Sequence, residues 1–252
     1  MLADGSALIG IVATVLLAVG AVVGRALTPP AGGIAAAFGI VIVLFVGFPF
    51  LALLVLFVAA SSLATRYRFA EKKQKKVQEG RRGERGVSNV LAHILLPTAI
   101  AVLGGWSTAV LNAPATALLF ASALAFGASD TLASEFGVLA GHARSILSGQ
   151  DVPPGTNGGV SSRGQVFALV GAGTTALVGL GLFELFRSPI PNAVLFLTTV
   201  TAAGFLACQV DSVLGELFEN RGLLSKGSTN FLGMLSALGM ASLVLLAFGV
   251  GL

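Results

Sequence analysis

Long uncharged stretches alternate with short polar segments along the chain. They lie at about 7–24, 32–64, 86–129, 164–183, 192–210 and 231–252. A helix of about 20 residues crosses the roughly 30 Å apolar core of a bilayer, so the two longest stretches must cross it twice. We expect the first of these two to break at Gly47-Phe48-Pro49 and the second at Gly104-Gly105 or at Asn112-Ala113-Pro114. The pattern predicts an all-α polytopic membrane protein with eight spans, within a range of seven to nine.

Composition agrees with this class. Of 252 residues, 55% are hydrophobic and only 10% are charged, and the mean hydropathy is +0.93. An ordinary soluble surface carries far more charge. Asp4 is the only charge before the first apolar stretch, and a secretory signal needs a positive start, so we expect the first span to be retained. Cys208 is the single cysteine, so no disulfide framework is expected.

The basic residues predict an orientation and a division of the chain. With the N-terminus outside, eight spans place all Lys and Arg except Arg187 on the inner side, in agreement with the positive-inside rule. Both termini are then outside and the polar segments of interest are cytoplasmic. We predict one transmembrane domain, 1–252, with three N-terminal spans in 1–65, a basic cytoplasmic loop at 66–88 and a catalytic core in 89–252.

Two acidic segments share one pattern: an Asp, a hydroxyl residue, and a Glu five positions after the Asp. Asp130 and Glu135 form one pair, and Asp211 and Glu216 form the other. Carboxylates at the ends of apolar helices are costly, so they predict a functional site, and we consider all four as metal ligands. Positions five apart lie about 140° from one another on a helix. Either the helix unwinds near Gly127-Ala128-Ser129, or Glu135 serves a second ion or a basic partner.

An asparagine lies near the start of three inward-facing helix ends. We predict that Asn89, Asn157 and Asn230 are N-caps, because Asn is a favoured capping residue. Asn89 leads to Asp130 and Asn157 leads to Asp211, so the core contains an internal parallel helical-hairpin repeat, with a third unit beginning at Asn230. Both copies run in the same direction, unlike the inverted repeats of many transporters.

Helix N-termini bind phosphate and carboxylates bind Mg²⁺, so the segments together predict a metal and polyphosphate site. Asp130, Asp211 and Asn157 are the candidate catalytic residues. Further candidates for binding nucleotide or phosphate are Arg81, Arg82, Asn89, Thr131, Ser134, Gly158, Gly159, Ser212, Lys226, Thr229 and Asn230. The alternative for the basic loop is a topology determinant that rests on anionic headgroups. His93 and His142 lack a partner at metal-ligand or triad spacing, which favours structural roles.

Five motifs in order resemble one integral-membrane family. They are Gly80-Arg81-Arg82-Gly83 with Asn89, the segment from Ala128 to Glu135, the segment from Gly155 to Ser161, the segment from Asp211 to Gly215, and Thr229-Asn230-Phe231. The chain is similar over nearly its whole length to the family of plant phytyl-phosphate kinase and animal transmembrane protein 19. That family in turn looks similar to the membrane prenol and dolichol kinases and the CDP-lipid synthases. Glu216 departs from the family pattern, which does not reliably place an acid there.

The resemblance implies a Mg²⁺-dependent kinase that transfers a phosphoryl group from a nucleoside triphosphate, often CTP, to a prenyl monophosphate such as phytyl or geranylgeranyl phosphate. Its product is a prenyl diphosphate. A CTP-dependent prenol kinase, a cytidylyltransferase that forms a CDP-lipid, and a secondary transporter are the alternatives. Membrane lipids are the expected surroundings, no nucleic-acid partner is predicted, and we expect the lipid tail to lie between spans four to eight.

Overall fold

A computed structural model describes residues 4–108 and 110–248. The predicted positions of both termini, and the last residues of the final predicted span, fall on 1–3 and 249–252 and lie outside the described residues. The helices of the described part are α1 (Asp4–Val23), α2 (Pro29–Val46), α3 (Phe48–Arg66), α4 (Phe69–Gln74), α5 (Val87–Trp106), α6 (Ala113–Gly137), α7 (Ser162–Leu185), α8 (Ala193–Leu214) and α9 (Lys226–Phe248).

The all-α polytopic class is confirmed. Seven helices, α2, α3 and α5–α9, are long and apolar enough to cross a bilayer, and α1 supplies a shorter apolar helix over Ala7–Val23. The predicted break at Gly47 is confirmed, because Gly47 adopts φ +88° between α2 and α3. Both predicted positions for the second break are used: α5 ends at Trp106, just after Gly104-Gly105, and α6 begins at Ala113.

Four connections meet at one end of the helix bundle, which we call the basic end: residues 24–28, 67–86, 138–161 and 215–225. Leu27 pairs with Arg85 in an isolated β-bridge. The Asn220 side chain donates to the Asn157 carbonyl at 3.1 Å. The short opposite connections, around 107–112 and 186–192, contain Arg187 as their single basic residue. The basic residues and the long connections between helices are therefore concentrated at the same end of the bundle, as the sequence predicted.

Helix α6 is the centre of the bundle. Every residue from Ala115 to Ser129 is buried, and α3, α5, α7, α8 and α9 all pack against it. A helix that is apolar on all sides is stable only when it is surrounded in this way. The surrounding helices hold α6 in place, and Asp130 follows directly after its buried stretch.

Glycines let three helices approach α6 closely where Asp130 is positioned. A Cβ at Gly171 of α7 would lie 2.7 Å from the Ala128 carbonyl oxygen, and a Cβ at Gly204 of α8 would lie 2.7 Å from the Ala125 Cβ. A Cβ at Gly233 of α9 would lie 2.5 Å from the Phe126 ring and 3.2 Å from the Asp211 Cβ. Small residues permit this close packing in membrane bundles, and here it brings α8 and α9 to the side of Asp130.

The connection between α6 and α7 contains a small antiparallel sheet that the sequence analysis did not predict. Strand β1 (Ala143–Ser145) lies between β2 (Asp151–Val152) and β3 (Gly159–Val160). Arg144 pairs with Asp151 on one side and with Val160 on the other. The sheet makes residues 143–160 an ordered cover over the ends of α6 and α8.

The predicted asparagine caps are wrong. Gly86 precedes α5, so Asn89 lies inside that helix. Asn157 lies in the connection before α7, where Ser161 is the cap and accepts from the Gly164 amide at 3.1 Å. Asn230 lies inside α9.

Asparagine caps do occur, at the opposite end of the bundle. The Asn112 and Asn192 side chains accept from backbone amides three residues later, at 2.9 and 3.0 Å, at the starts of α6 and α8. Because Asn89, Asn157 and Asn230 are not caps, the internal repeat stays a prediction that rests on the two Asp motifs.

Candidate functional site

A cavity of about 310 Å³ opens at the basic end, between α6, α7, α8, α9 and the two long connections. Its lining is mostly polar, and it contains many of the residues that the sequence singled out. Those residues are Asp130, Ser134, Glu135, Asn157, Gly158, Gly159, Asp211, Ser212, Lys226 and Asn230. Acids separated by about eighty positions in the chain therefore meet in one space.

Asp130 and Asp211 form the acidic wall of the cavity. Asp130 belongs to the last turns of α6 and Asp211 to the last turn of α8, and the two carboxyls are close enough to interact electrostatically. The Asp211 Oδ1 atom is buried and has no hydrogen-bond partner in the described part of the chain. A buried acceptor without a partner costs free energy, and a ligand that bonded to it would remove that cost.

Lys226, Glu79 and Arg85 supply further charge to the cavity and its surroundings. Lys226 Nζ lies 3.2 Å from Glu79 Oε2. Burial alone would raise the pKa of Glu79, but the charge and hydrogen bond of Lys226, with the charge of Arg85, hold that pKa below its ordinary value. Burial lowers the pKa of Arg85, against the opposing influence of Glu79, Glu135 and Asp130.

The connection at Asn157 forms the wall facing the acids. Gly158 adopts φ +79°, and a Cβ there would lie 2.4 Å from the Glu216 Cβ, so only glycine fits this close approach. The Gly159 amide donates to the Thr156 carbonyl at 2.8 Å and closes a tight turn. This turn brings Asn157 to the cavity although Asn157 is not a helix cap.

Glu135 lines the cavity, but the structure corrects its predicted role as a metal ligand. Its Oε1 accepts from Thr65 Oγ1 at 2.7 Å, and its Oε2 pairs with Lys72 Nζ at 2.6 Å. Lys72 also donates to the Ala64 carbonyl at 2.8 Å, and its side chain is fully buried. Helix α6 is regular past Ser129, so the alternative of a basic partner is confirmed and that of an unwound helix is wrong.

Glu216 has a structural position as well. Its Oε1 accepts from Ser145 Oγ at 2.6 Å, and its Oε2 accepts from the Leu147 amide at 3.4 Å. These bonds attach the π-helical turn at Gly215–Glu219, which follows α8, to strand β1. Both carboxylate oxygens of Glu216 are therefore engaged away from Asp130 and Asp211, which corrects its assignment as a ligand.

Five further predicted phosphate-binding residues lie outside the cavity. Arg81 and Arg82 line a separate surface depression with Arg25, Arg66 and Lys73. Thr229 is buried and bonds to Glu219 at 3.0 Å, and Thr131 is buried beside Arg85, 3.5 Å from its Nη2. Asn89 accepts from Arg85 Nη1 at 2.9 Å. Arg85, rather than Arg81 or Arg82, is therefore the arginine that lies beside the predicted residues Asn89 and Thr131.

Glu79, Glu219, Gln165 and Arg85 were not predicted from the sequence. Glu79, Glu219 and Gln165 line the cavity, and Gln165 donates to Gln209 at 2.9 Å. Glu79 and Arg85 belong to a run of alternating charges, in which nothing in the sequence separates a buried residue from its solvated neighbours. Glu219 lies in the π-helical turn, whose altered periodicity conceals its direction; such turns are frequent at functional sites.

The donors fit a Mg²⁺ ion that a substrate helps to bind. Within residues 4–108 and 110–248, no group of three or more His, Cys, Asp or Glu side chains is arranged to hold an ion. Mg²⁺ commonly takes only one or two carboxylates and completes its octahedron with water and phosphate oxygens. The two carboxylates of Asp130 and Asp211 match that limited requirement, and the Oδ1 atom of Asp211 has no other partner among the described residues.

Comparisons with known proteins agree with the membrane class. The family model described as "Integral membrane protein DUF92" matches residues 12–237. An uncharacterized membrane protein of Methanocaldococcus jannaschii is 30% identical over 197 residues, which cover 77% of this chain and 75% of that protein. Protein PGR of Arabidopsis thaliana is 30% identical over 212 residues, with 77% and 73% of the two chains covered. An uncharacterized membrane protein of Synechocystis sp. is 28% identical over 237 residues, with 89% and 87% covered. No solved structure matches.

Proposed function

The chain belongs to the integral membrane protein family DUF92, and we propose that it is a membrane kinase resembling phytyl-phosphate kinase. It transfers the terminal phosphoryl group of a nucleoside triphosphate, CTP first among the candidates, to a prenyl monophosphate. The single observation that carries the proposal is the meeting of Asp130, Asp211 and Lys226, from three different helices, in one polar cavity. This set of charges suits a polyphosphate with its metal ion.

Phosphoryl transfer asks a protein mainly for positioning and charge neutralisation. An oxygen of the acceptor phosphate forms a bond to the terminal phosphorus, while the bond from that phosphorus to the bridging oxygen breaks and the nucleoside diphosphate leaves. The acceptor is already an anion, so no strong general base is required. This agrees with a cavity whose described lining contains no histidine.

Each wall of the cavity has a role in this mechanism. Asp130 and Asp211 would hold Mg²⁺, which supplies neutralisation of the phosphate charge when it is bound. Lys226 would exchange its contact with Glu79 for a phosphate oxygen, as an exposed ammonium can do at small cost. The turn at Asn157 and Gly158 lines the same cavity as Asp130 and Asp211, where its amides can orient the nucleotide phosphates.

The position of the cavity favours an enzyme over a transporter. A transporter should connect its intramembrane acids to polar groups at both faces, and Glu184 and Arg187 were the outer candidates. Glu184 Oε1 accepts from the Ile190 amide at 3.2 Å, and the Arg187 amide donates to the Glu184 carbonyl at 3.1 Å. The Glu184 carboxylate is therefore engaged within the turn between α7 and α8, which is an ordinary structural role.

The direct test is turnover by the purified full-length chain in detergent with Mg²⁺, CTP and geranylgeranyl phosphate. We expect geranylgeranyl diphosphate and CDP, identified by mass. A CDP-linked lipid with released pyrophosphate would instead identify a cytidylyltransferase, and turnover with geranylgeraniol alone would identify a prenol kinase. No product with any acceptor, from protein shown to be folded, would overturn the proposal.

A further inference from the structure

A second cavity lies beside the first, among the N-terminal helices. It has a volume of about 240 Å³ and is bounded by α1, α2, α3 and α5, mostly with aliphatic side chains. We call it the apolar groove. Leu17, one of its lining residues, is 44% exposed on the surface of α1, so the groove reaches the face that contacts the bilayer. The sequence predicts a lipid tail between spans four to eight, whereas this groove lies among the first four.

One end of the apolar groove is polar and incompletely bonded. Arg85, His93 and Ser61 line it and are all buried. Arg85 Nε, His93 Nε2 and Ser61 Oγ have no hydrogen-bond partner among the described residues. Three unpartnered polar atoms in one place are unusual, because buried polar groups are nearly always bonded. Their convergence on a single groove indicates a ligand with a polar head.

Arg85 connects this polar end to the acidic cavity. Its Nη1 donates to Asn89 Oδ1 at 2.9 Å, and its Nη2 lies 3.5 Å from Thr131 Oγ1. Thr131 is the residue after Asp130 on α6. The backbone also holds Arg85 in place, since its amide donates to the Ala26 carbonyl at 2.9 Å and its carbonyl accepts from the Thr28 amide at 3.1 Å. Asp130 is itself close enough to interact electrostatically with Arg85, so a group bound at Arg85 would lie near Asp130.

We propose that the apolar groove binds the isoprenoid chain of the acceptor and that Arg85 binds its phosphate. This inference rests on the proposed function and assigns the acceptor half of the same site. Charge complementarity supports it, because guanidinium binds phosphate well and Arg85 is a cation at the inner end of an apolar space. The groove thus delivers the phosphate to Asp130 from the membrane side, while the nucleotide enters the polar cavity from the basic end.

The size of the groove favours one chain. Pockets that enclose a drug-sized ligand measure about 300–1,000 Å³, so a space of about 240 Å³ holds only the isoprene units nearest the phosphate. The remainder of the chain would extend past Leu17 into the bilayer. A single-chain isoprenoid phosphate meets this geometry better than a phospholipid with two chains.

The test measures binding without nucleotide, so it does not depend on turnover. Radiolabelled geranylgeranyl monophosphate is titrated against the purified full-length chain in detergent, with geranylgeraniol and phosphatidic acid as competitors. We expect the monophosphate to bind at least about tenfold more tightly than the alcohol, as one charge-assisted contact predicts. Equal competition by phosphatidic acid would identify a general lipid-phosphate site and overturn the assignment to an isoprenoid.

Two variants on α2 test the groove itself. Ala35 lines the groove and Ala37 is exposed two positions away on the same helix, so Ala35→Phe fills the space and Ala37→Phe is the matched control. We expect Ala35→Phe to weaken binding of the monophosphate at least about tenfold, because the phenyl ring occupies space that the isoprenoid chain would fill, and Ala37→Phe to leave binding unchanged. Equal binding by the two variants would overturn the groove assignment.

A third variant tests the arginine. Arg85→Gln should remove the preference for the monophosphate over the alcohol while the alcohol still binds, and thermal unfolding establishes that the variant is folded. A retained preference would remove Arg85 from the acceptor site.

The binding and turnover results separate the two proposals. Tight, groove-dependent binding without phosphoryl transfer from CTP would sink the kinase and keep the groove. Equal turnover by Ala35→Phe and Ala37→Phe would overturn the groove assignment and keep the kinase proposal.

Discussion

Glu135 on α6 and Asp211 on α8 are similar in the sequence, since each lies near the basic end of an apolar helix and each suggests a metal ligand. The structure treats them differently. Glu135 is buried with both oxygens bonded, to Thr65 and Lys72, whereas the Asp211 Oδ1 atom is buried without a partner among the described residues. Both oxygens of Glu135 thus have partners within the protein, whereas one oxygen of Asp211 has none among the described residues. Glu135 therefore has the bonding of a structural residue, and the unpartnered oxygen of Asp211 supports its proposed role as a ligand.

The largest expected effect follows from removing the charge of Asp211 or of Asp130, the two aspartates that line the polar cavity. Asp211→Asn and Asp130→Asn keep the side-chain shape and remove the charge, so we expect turnover with CTP and geranylgeranyl phosphate to fall about a hundred- to thousandfold. Thermal stability should not fall, because each change removes a carboxylate from a partly buried acidic pair. Asp151→Asn, at an exposed acid on strand β2, is the matched control and should leave turnover intact. Full activity in either aspartate variant would exclude that residue from the site.

Loss of the cation that pairs with Glu135 should have the opposite effect, lowering stability while turnover is retained. Lys72→Met leaves Glu135 buried without its cation, and breaking a buried pair costs about 3–5 kcal/mol. We expect a clear fall in the thermal unfolding temperature in detergent, with turnover per folded molecule nearly unchanged. Lys73→Met, at the exposed neighbour, should change neither. If the double variant Lys72→Met/Glu135→Leu is no more stable than Lys72→Met alone, the uncompensated charge is not the cause.

A change in the packing around α6 should have a smaller effect, and this effect is on the stability of the protein. Gly171→Ala places a methyl group against the Ala128 carbonyl oxygen, so we expect destabilisation of about 1–3 kcal/mol, the usual cost of overpacking. Gly181→Ala on the same helix meets no atom within 4 Å and should be neutral or slightly stabilising, since Ala is the better helix former. Thermal unfolding of the two variants measures the difference. Equal melting would show that α7 can move away from α6 without cost.

Features that depend on local residues could be predicted from the sequence, whereas features that depend on a distant partner could not. Spans and breaks were predictable because apolar length and Gly or Pro act locally, as at Gly47. The acids were predictable because a carboxylate in an apolar helix is costly wherever its partner lies. The pairing of Glu135 with Lys72 was not, since Lys72 stands in a run of cations and the sequence shows the charge without showing which member of the run is buried.

The prediction that Asn89, Asn157 and Asn230 are helix caps was wrong for a related reason. Capping is decided by the backbone at the helix start, so an Asn near an apolar stretch is equally consistent with a position inside the helix. Asn89 and Asn230 lie inside helices, whereas Asn112 and Asn192, which were not predicted as caps, do cap α6 and α8. The small sheet at 143–160 was missed because two-residue strands leave almost no periodic signal.

The smallest expected effects concern the cations and extend the comparison to them. Lys226 lines the acidic cavity, while Arg82 lies in a separate depression, although both were predicted to bind phosphate. Lys226→Gln removes one charged contact to a phosphate, so the KM for CTP should rise about tenfold. Arg82→Ala should leave that KM within about twofold, because a solvated cation outside the cavity adds little. Steady-state kinetics at one ionic strength measure both. Should Arg82→Ala raise the KM as much as Lys226→Gln does, the basic loop must close over the nucleotide, and the cavity at the basic end would then be only part of the phosphate site.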